Sequence, residues 1–190
     1  MIELVFVIVI ITVLLILFLY YEYQYAELTK VKSAIDNKEY LVRNREDKQA
    51  GADLLATVVK NIDTLINYTK NKGTFSTLYK KYNSNNISES LSNSKYTSYS
   101  LNKGEKIVLC IRHKDEKESL VDLNTLMFVV LHELAHLESK TVGHNKEFWD
   151  NMTELLKIGI KLGIYKYVDY KNSPIKYCGI NVTATPLKLS

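Results

Sequence analysis

Cysteine is scarce in this chain: two residues in 190, Cys110 and Cys178. Two thiols exclude the cross-linked framework of small secreted domains, and they exclude a four-cysteine zinc ribbon. Left unpaired, they agree with a reducing compartment. Strong charge of one sign is also lacking. The formal net charge is +4, and the bases are nearly all lysines spread along the sequence. A strongly basic nucleic-acid binder is therefore ruled out as the default reading, and no nucleic-acid partner is expected. No internal repeat is present. What remains is 190 residues with 46% hydrophobic and 24% charged side chains, enough for one globular domain with a core and too little for two large ones.

Residues 4–20, LVFVIVIITVLLILFLY, lack any charge, glycine or proline. As a helix rising about 1.5 Å per residue they span roughly 26 Å, which just crosses a thin bilayer. Tyr20, Tyr21, Tyr23 and Tyr25 follow as an interfacial aromatic belt. A cleaved signal peptide is one alternative, but it wants bases ahead of the apolar run and small residues after it. No Lys or Arg precedes the run, and the exit YYEYQYAEL holds a single small residue. A buried core helix is the other alternative. The reading adopted is a transmembrane anchor over residues 1–21, in contact with the lipid bilayer through residues 2–20. A juxtamembrane linker over 22–29 and a folded domain over 30–190 follow. Lys30, Lys32, Lys38, Arg43 and Arg45 come after the span and no base comes before it. The positive-inside rule then puts the C-terminal domain in the cytoplasm of a single-pass protein.

The soluble part reads as α+β. Residues 31–35 and 40–43 flank Asp36-Asn37-Lys38-Glu39, which predicts a β-hairpin. Leu55, Val58, Val59, Ile62, Leu65 and Ile66 recur at helical spacing and predict a helix from about Glu46 to Lys70. Residues 83–95, NSNNISESLSNSK, predict a surface loop. A second hairpin is expected from Tyr96–Leu101 and Lys106–Arg112 around Asn102-Lys103-Gly104. Asp122 or Asn124 can cap a helix running to about Lys140, and a further helix spans about Asn145 to Leu162, closed by Gly163. The tail, with Pro174, Gly179 and Pro186, reads as turns and short strands.

Residues 132–136 read His-Glu-Leu-Ala-His on the first of those helices. Positions i and i+4 share one face about a turn apart, so His132 and His136 can reach one metal ion. Glu133 projects beside that face, where a carboxylate can hydrogen-bond a metal-bound water. This is the HExxH arrangement of two ligands and a general base. A catalytic zinc site needs a third protein ligand and one open position. His144 follows Gly143, where a chain reversal brings it back toward the pair. Glu154 is the second choice; Glu138 and Glu147 are weaker. His113 reads as solvated, and Phe148 and Trp149 as core contacts of the last helix. Cys110 reads as strand packing, and Cys178 as a group that could lie near the site.

HELAHLESKTVGHNKEFW resembles the WLM and SprT-like group of zinc metallopeptidases, in which HELxH is followed by a short spacer and a third His at the start of a helix. The metzincin pattern would instead want Gly at 139 and His at 142, where this chain has Ser139 and Val142. The stretches VKSAIDNKEYLVRN, NKGEKIVLCIR, DLNTLMFVVLHELAH and SPIKYCGI extend the likeness to WLM-type metallopeptidases of large DNA viruses. The resemblance implies a zincin-like fold with β-hairpins packed on the active-site helix. It also implies a Zn²⁺ cofactor on His132, His136 and His144, and Glu133 as the catalytic residue. For a viral protein the membrane is that of a virion or a host. Together these readings predict a membrane-anchored zinc peptidase acting on a protein or peptide. Glu133 would take the proton of a zinc-activated water and hand it to the leaving amine. Tyr167, Tyr170, Tyr177 and Arg112 are the candidate oxyanion donors. An edge of the hairpin before the active helix would pair with an extended substrate. The alternative is a catalytically inactive, zinc-stabilised interaction module on a membrane. The oligomeric state has no signal in the sequence.

Overall fold

The computed structural model describes residues 2–25, 27–101 and 106–188. A long helix, α1 (Ile2–Tyr25), leads the chain. Its described side chains, residues 5–22, are all exposed, which removes the buried-core alternative for this segment. It is long and apolar enough to cross a membrane by length and composition.

The remainder is a mixed α+β fold. One five-stranded sheet is built from β1 (Leu28–Lys32), β2 (Glu39–Arg43), β3 (Ile87–Glu89), β4 (Tyr99–Leu101) and β5 (Lys106–Leu109), in the order β1-β2-β3-β5-β4. β1 and β2 form the first hairpin, antiparallel with Lys30 opposite Leu41. Its first strand lies three residues earlier than the sequence pattern suggests. The reason is the turn: Ser33 N–H donates to the Lys38 carbonyl, and Asn37 takes a left-handed φ of 61° that Asn tolerates. The step from β2 to β3 is parallel, so the chain must cross over, and α2 (Lys48–Asn71) and α3 (Ser76–Lys81) supply the crossover. The apolar stripe of α2 is buried at Leu55, Val58, Val59, Ile62 and Leu65, as its period requires.

β3 overturns the surface-loop reading of residues 83–95 in the middle of that stretch, at Ile87–Glu89. Ile87, Ser88 and Glu89 are all buried in the middle of the sheet, paired in parallel with β5. A carboxylate in a central strand is tolerable only when paired. Glu89 accepts from Arg112 Nε at 2.8 Å and from the Arg43 backbone N–H at 2.7 Å. Arg112 also meets Asp47 at 2.6 Å. Gly51 on α2 makes room for this guanidinium, since a Cβ there would lie 3.3 Å from Arg112 Nη2.

The second hairpin pairs β4 with β5 antiparallel, Ser100 opposite Ile107. Its expected turn, Asn102-Lys103-Gly104, lies outside the described residues. Two helices follow: α4 (Leu123–Glu138), capped by Asp122 through the Thr125 N–H at 2.9 Å, and α5 (Lys146–Lys161), capped by Asn145 through the Phe148 N–H at 3.1 Å. They pack closely at Gly159, where an added Cβ would stand 3.0 Å from Leu131 Cδ1 and 3.3 Å from Tyr165 Cβ. Gly159→Val should therefore overpack this contact and destabilise the domain by about 1–3 kcal/mol. A thermal melt checks it, and an unchanged midpoint would refute the packing.

The tail forms a small antiparallel hairpin, β6 (Ile175–Tyr177) and β7 (Ile180–Val182). Its two-residue turn has positive φ at both positions, 48° at Cys178 and 85° at Gly179. The two cysteines are not free thiols. Cys110, just after β5, and Cys178 form a disulfide across 68 positions of sequence. Both are buried, at 4% and 2% exposure. This corrects the expectation of unpaired cysteines and withdraws their support for a reducing compartment.

Candidate metal centre

The site is assembled by α4, the loop after it, and the first turn of α5. His132 and His136 project from one face of α4, one turn apart. The loop is then pinned so that His144 returns to them. Ser139 caps α4, donating through Oγ to the Ala135 carbonyl at 2.8 Å and accepting from Asn151 Nδ2 at 3.0 Å. Glu147 reaches back to the Lys140 N–H and the Thr141 hydroxyl, each at 3.2 Å. Asn145 Nδ2 also donates to Thr141 Oγ1. Gly143 turns the chain at φ 93°. Phe148 follows His144 by four residues, so the helix start places its ring beneath the triad. Its centroid is 4.8, 4.3 and 4.6 Å from those of His132, His136 and His144.

The three Nε2 atoms lie 3.1–3.2 Å from one another. Three nitrogens bonded to one tetrahedral ion at about 2.0–2.1 Å would stand about 3.3–3.4 Å apart. The spacing fits a shared cation, and the donor set of three imidazoles suits zinc. Burial and the neighbouring rings hold His132 down to about 3 and His136 to about 4, so both imidazoles are neutral at pH 7, the form a metal ion requires. Among the described residues this is the one cluster of three or more His, Cys, Asp or Glu able to hold a metal ion.

Glu133 is 6% exposed. Burial pushes its carboxyl up to about 7, opposed by a hydrogen bond from the Ser100 backbone N–H on β4. A cation in the triad would draw it back down. Of the two strands of the second hairpin, β5 is interior and β4 ends the sheet, so β4 is the edge beside the site.

The weaker ligand candidates are engaged elsewhere. Glu154 pairs with Lys157 at 3.3 Å on the surface. Glu138 accepts from the Leu78 N–H at 2.6 Å, and Glu147 holds the loop. Three oxyanion candidates are also committed. Arg112 is 2% exposed and sits in the Glu89–Asp47 network. Tyr170 packs inside against Phe128, with ring centroids 4.7 Å apart. Tyr177 does line the cleft, but its hydroxyl donates to the Cys110 carbonyl at 2.8 Å and shares a 2.7 Å hydrogen bond with Ser98. Tyr167 lines neither of the cavities beside the triad.

Trp149 was expected in the core. It is instead 41% exposed and lines the cleft, its ring 5.5 Å from that of His144. The helical spacing of Phe148 and Trp149 could have separated them, because adjacent positions on α5 point 100° apart. The β6–β7 hairpin also reaches the site, through Tyr177, Ile180 and Val182. Nothing local in its sequence signals that.

A model of the WLM domain matches residues 34–179. Protein R325 of Acanthamoeba polyphaga mimivirus is 37% identical over 171 residues, which is 86% of this chain and 86% of that protein. Protein 136R of Invertebrate iridescent virus 6 is 39% identical over 69 residues, 36% of this chain and 38% of that protein. Among solved structures, the fold is similar to that of Wss1 from Saccharomyces cerevisiae, with a TM-score of 0.50 and 20% identity. That match covers 64% of this chain and 88% of that one.

Proposed function

Because the chain belongs to the WLM-domain family, a metallopeptidase-type family, we propose that it is a membrane-anchored zinc-dependent peptidase of zincin-like fold. The observation that carries this reading is the convergence of three imidazole Nε2 atoms within 3.2 Å, with a buried carboxylate one residue from the first of them. His132, His136 and His144 would hold the ion. Bound there, zinc supplies Lewis-acid polarisation of the scissile carbonyl and acidifies the attacking water. Glu133 takes the water proton on a carboxylate oxygen and later delivers it to the leaving nitrogen. Phe148 fixes the imidazole planes from below. β4 is an edge strand beside the site, and an extended peptide would pair along it through its main chain.

Residues 1–21 serve as the anchor in this reading and residues 30–190 as the peptidase domain. The exposed apolar length of α1 supports the anchor. The bases after the span still favour a cytoplasmic domain, although the disulfide points the other way.

The deciding experiment is metal content. The purified chain should carry one zinc, and His144→Ala should weaken its retention by a competing chelator at least tenfold. A chain without zinc, or zinc indifferent to the loss of His144, would discard the ligand set.

A further inference from the structure

The cleft around the triad has two lobes that share Ser98, His132, Glu133 and His144. Their chemistry differs. One lobe runs along β4 and the 141–143 loop. The other is a cavity of about 420 Å³ walled by Phe128, Val129, Trp149, Met152, Ile180 and Val182. Among the described residues, apart from Glu133, His132 and His144, no ionisable side chain but the committed Tyr177 lines this second lobe. Its remaining polar lining is neutral, from residues such as Thr97, Asn181 and Thr183.

Two observations say that this lobe is built to be filled. Trp149 and Ile180 are 41% and 50% exposed, large apolar side chains left to water on opposite elements. Covering such surface is favourable at about 25 cal/mol per Å². The far wall is also held in place before anything binds. The β6–β7 hairpin is tied to the sheet by the Cys110–Cys178 disulfide, by Tyr177 donating to the Cys110 carbonyl, and by its hydrogen bond to Ser98. Preformed apolar concavities of roughly 300–1,000 Å³ are the usual shape of ligand sites. Apart from Glu133, which the mechanism employs, and the triad histidines, a charged occupant would find no ionic partner among the described lining residues.

We propose that this lobe is the specificity pocket of the peptidase. It takes a large apolar side chain on the residue beside the scissile bond, and the β6–β7 hairpin with Ala184 sets its depth. The proposal rests on the peptidase reading, and binding rather than turnover separates the two. Phenylalanine hydroxamate and alanine hydroxamate carry the same metal-binding group and differ only in the side chain. Titrated by calorimetry into the full-length, zinc-loaded chain in detergent, the phenylalanine compound should bind at least tenfold more tightly. Ala184 is exposed just after β7, so Ala184→Trp can fill the lobe from its rim without disturbing the core. That variant should bring the ratio close to one while zinc content stays unchanged. Ile180→Asp, on the exposed face of β7, should lower the same ratio and favour lysine hydroxamate. Equal affinities in the unmodified chain would overturn the pocket and leave the metal site standing. An unchanged ratio in both variants would overturn the role of the hairpin. Failure of both hydroxamates to bind would overturn the open metal site, and the pocket with it.

Discussion

Glu133→Gln should lower peptide hydrolysis by about 10²–10⁴-fold and leave one zinc per chain, because a general base contributes rate enhancement of that order. The two side chains match in shape, and an amide has no basic oxygen to take the proton. The exchange should not unfold the protein. Glu133 is almost fully buried, and its carboxyl is pushed up to about 7 by that burial, so a neutral amide suits the position at least as well. The Ser100 N–H that bonds the carboxylate can bond the amide oxygen instead. A melt, a zinc count and a cleavage assay on one preparation decide the matter. Undiminished cleavage would sink the mechanism. An unmodified chain that binds zinc but cleaves nothing would move the protein to the alternative of a zinc-stabilised interaction module.

Removal of the disulfide should have the largest effect on stability. The Cys110–Cys178 bond closes a loop that contains both α4 and α5, and so the entire histidine triad. With 68 positions between its ends, the chain-entropy model assigns it about 4 kcal/mol. At about 2–4 °C per kcal/mol for a domain of this size, the Cys110→Ser, Cys178→Ser double variant should melt roughly 8–16 °C lower. A shift under about 2 °C would show that the bond is not formed in solution. The same bond reports on location. Denatured in maleimide at the moment of lysis, so that buried thiols are exposed, and run without reductant, the protein should stay unlabelled at both positions if its domain faces an oxidising side. Complete labelling would place it on the reducing side, as the basic residues after the span suggest.

The histidine triad was legible in the sequence because most of it is local. Helical spacing alone brings His132 and His136 together, and a glycine before His144 marks the return. The periodic helices were legible for the same reason. What escaped depends on distant partners. Ile87–Glu89 looks like part of a polar loop because its buried carboxylate is neutralised by Arg112 and the Arg43 N–H, far away in sequence. Arg112 resembles a catalytic cation until Glu89 and Asp47 claim it. The cysteine pairing spans 68 positions, and no local pattern encodes it. The pocket wall on β6–β7 is of the same kind, placed by a disulfide and one tyrosine hydroxyl.

The join between α1 and the first strand has a reach that can be worked out. α1 ends at Tyr25 and β1 begins at Leu28. Three residues of fully extended chain cover at most about 11 Å. With α1 in a bilayer, the domain has no stalk and rides close to the lipid surface. Its leash is too short to sample the bulk solution. Substrates fixed in the same membrane are then presented at a raised local concentration, and free proteins are not. For an anchored peptidase, encounter would become a search in two dimensions, and the length of the leash would select substrates as surely as the shape of the cleft.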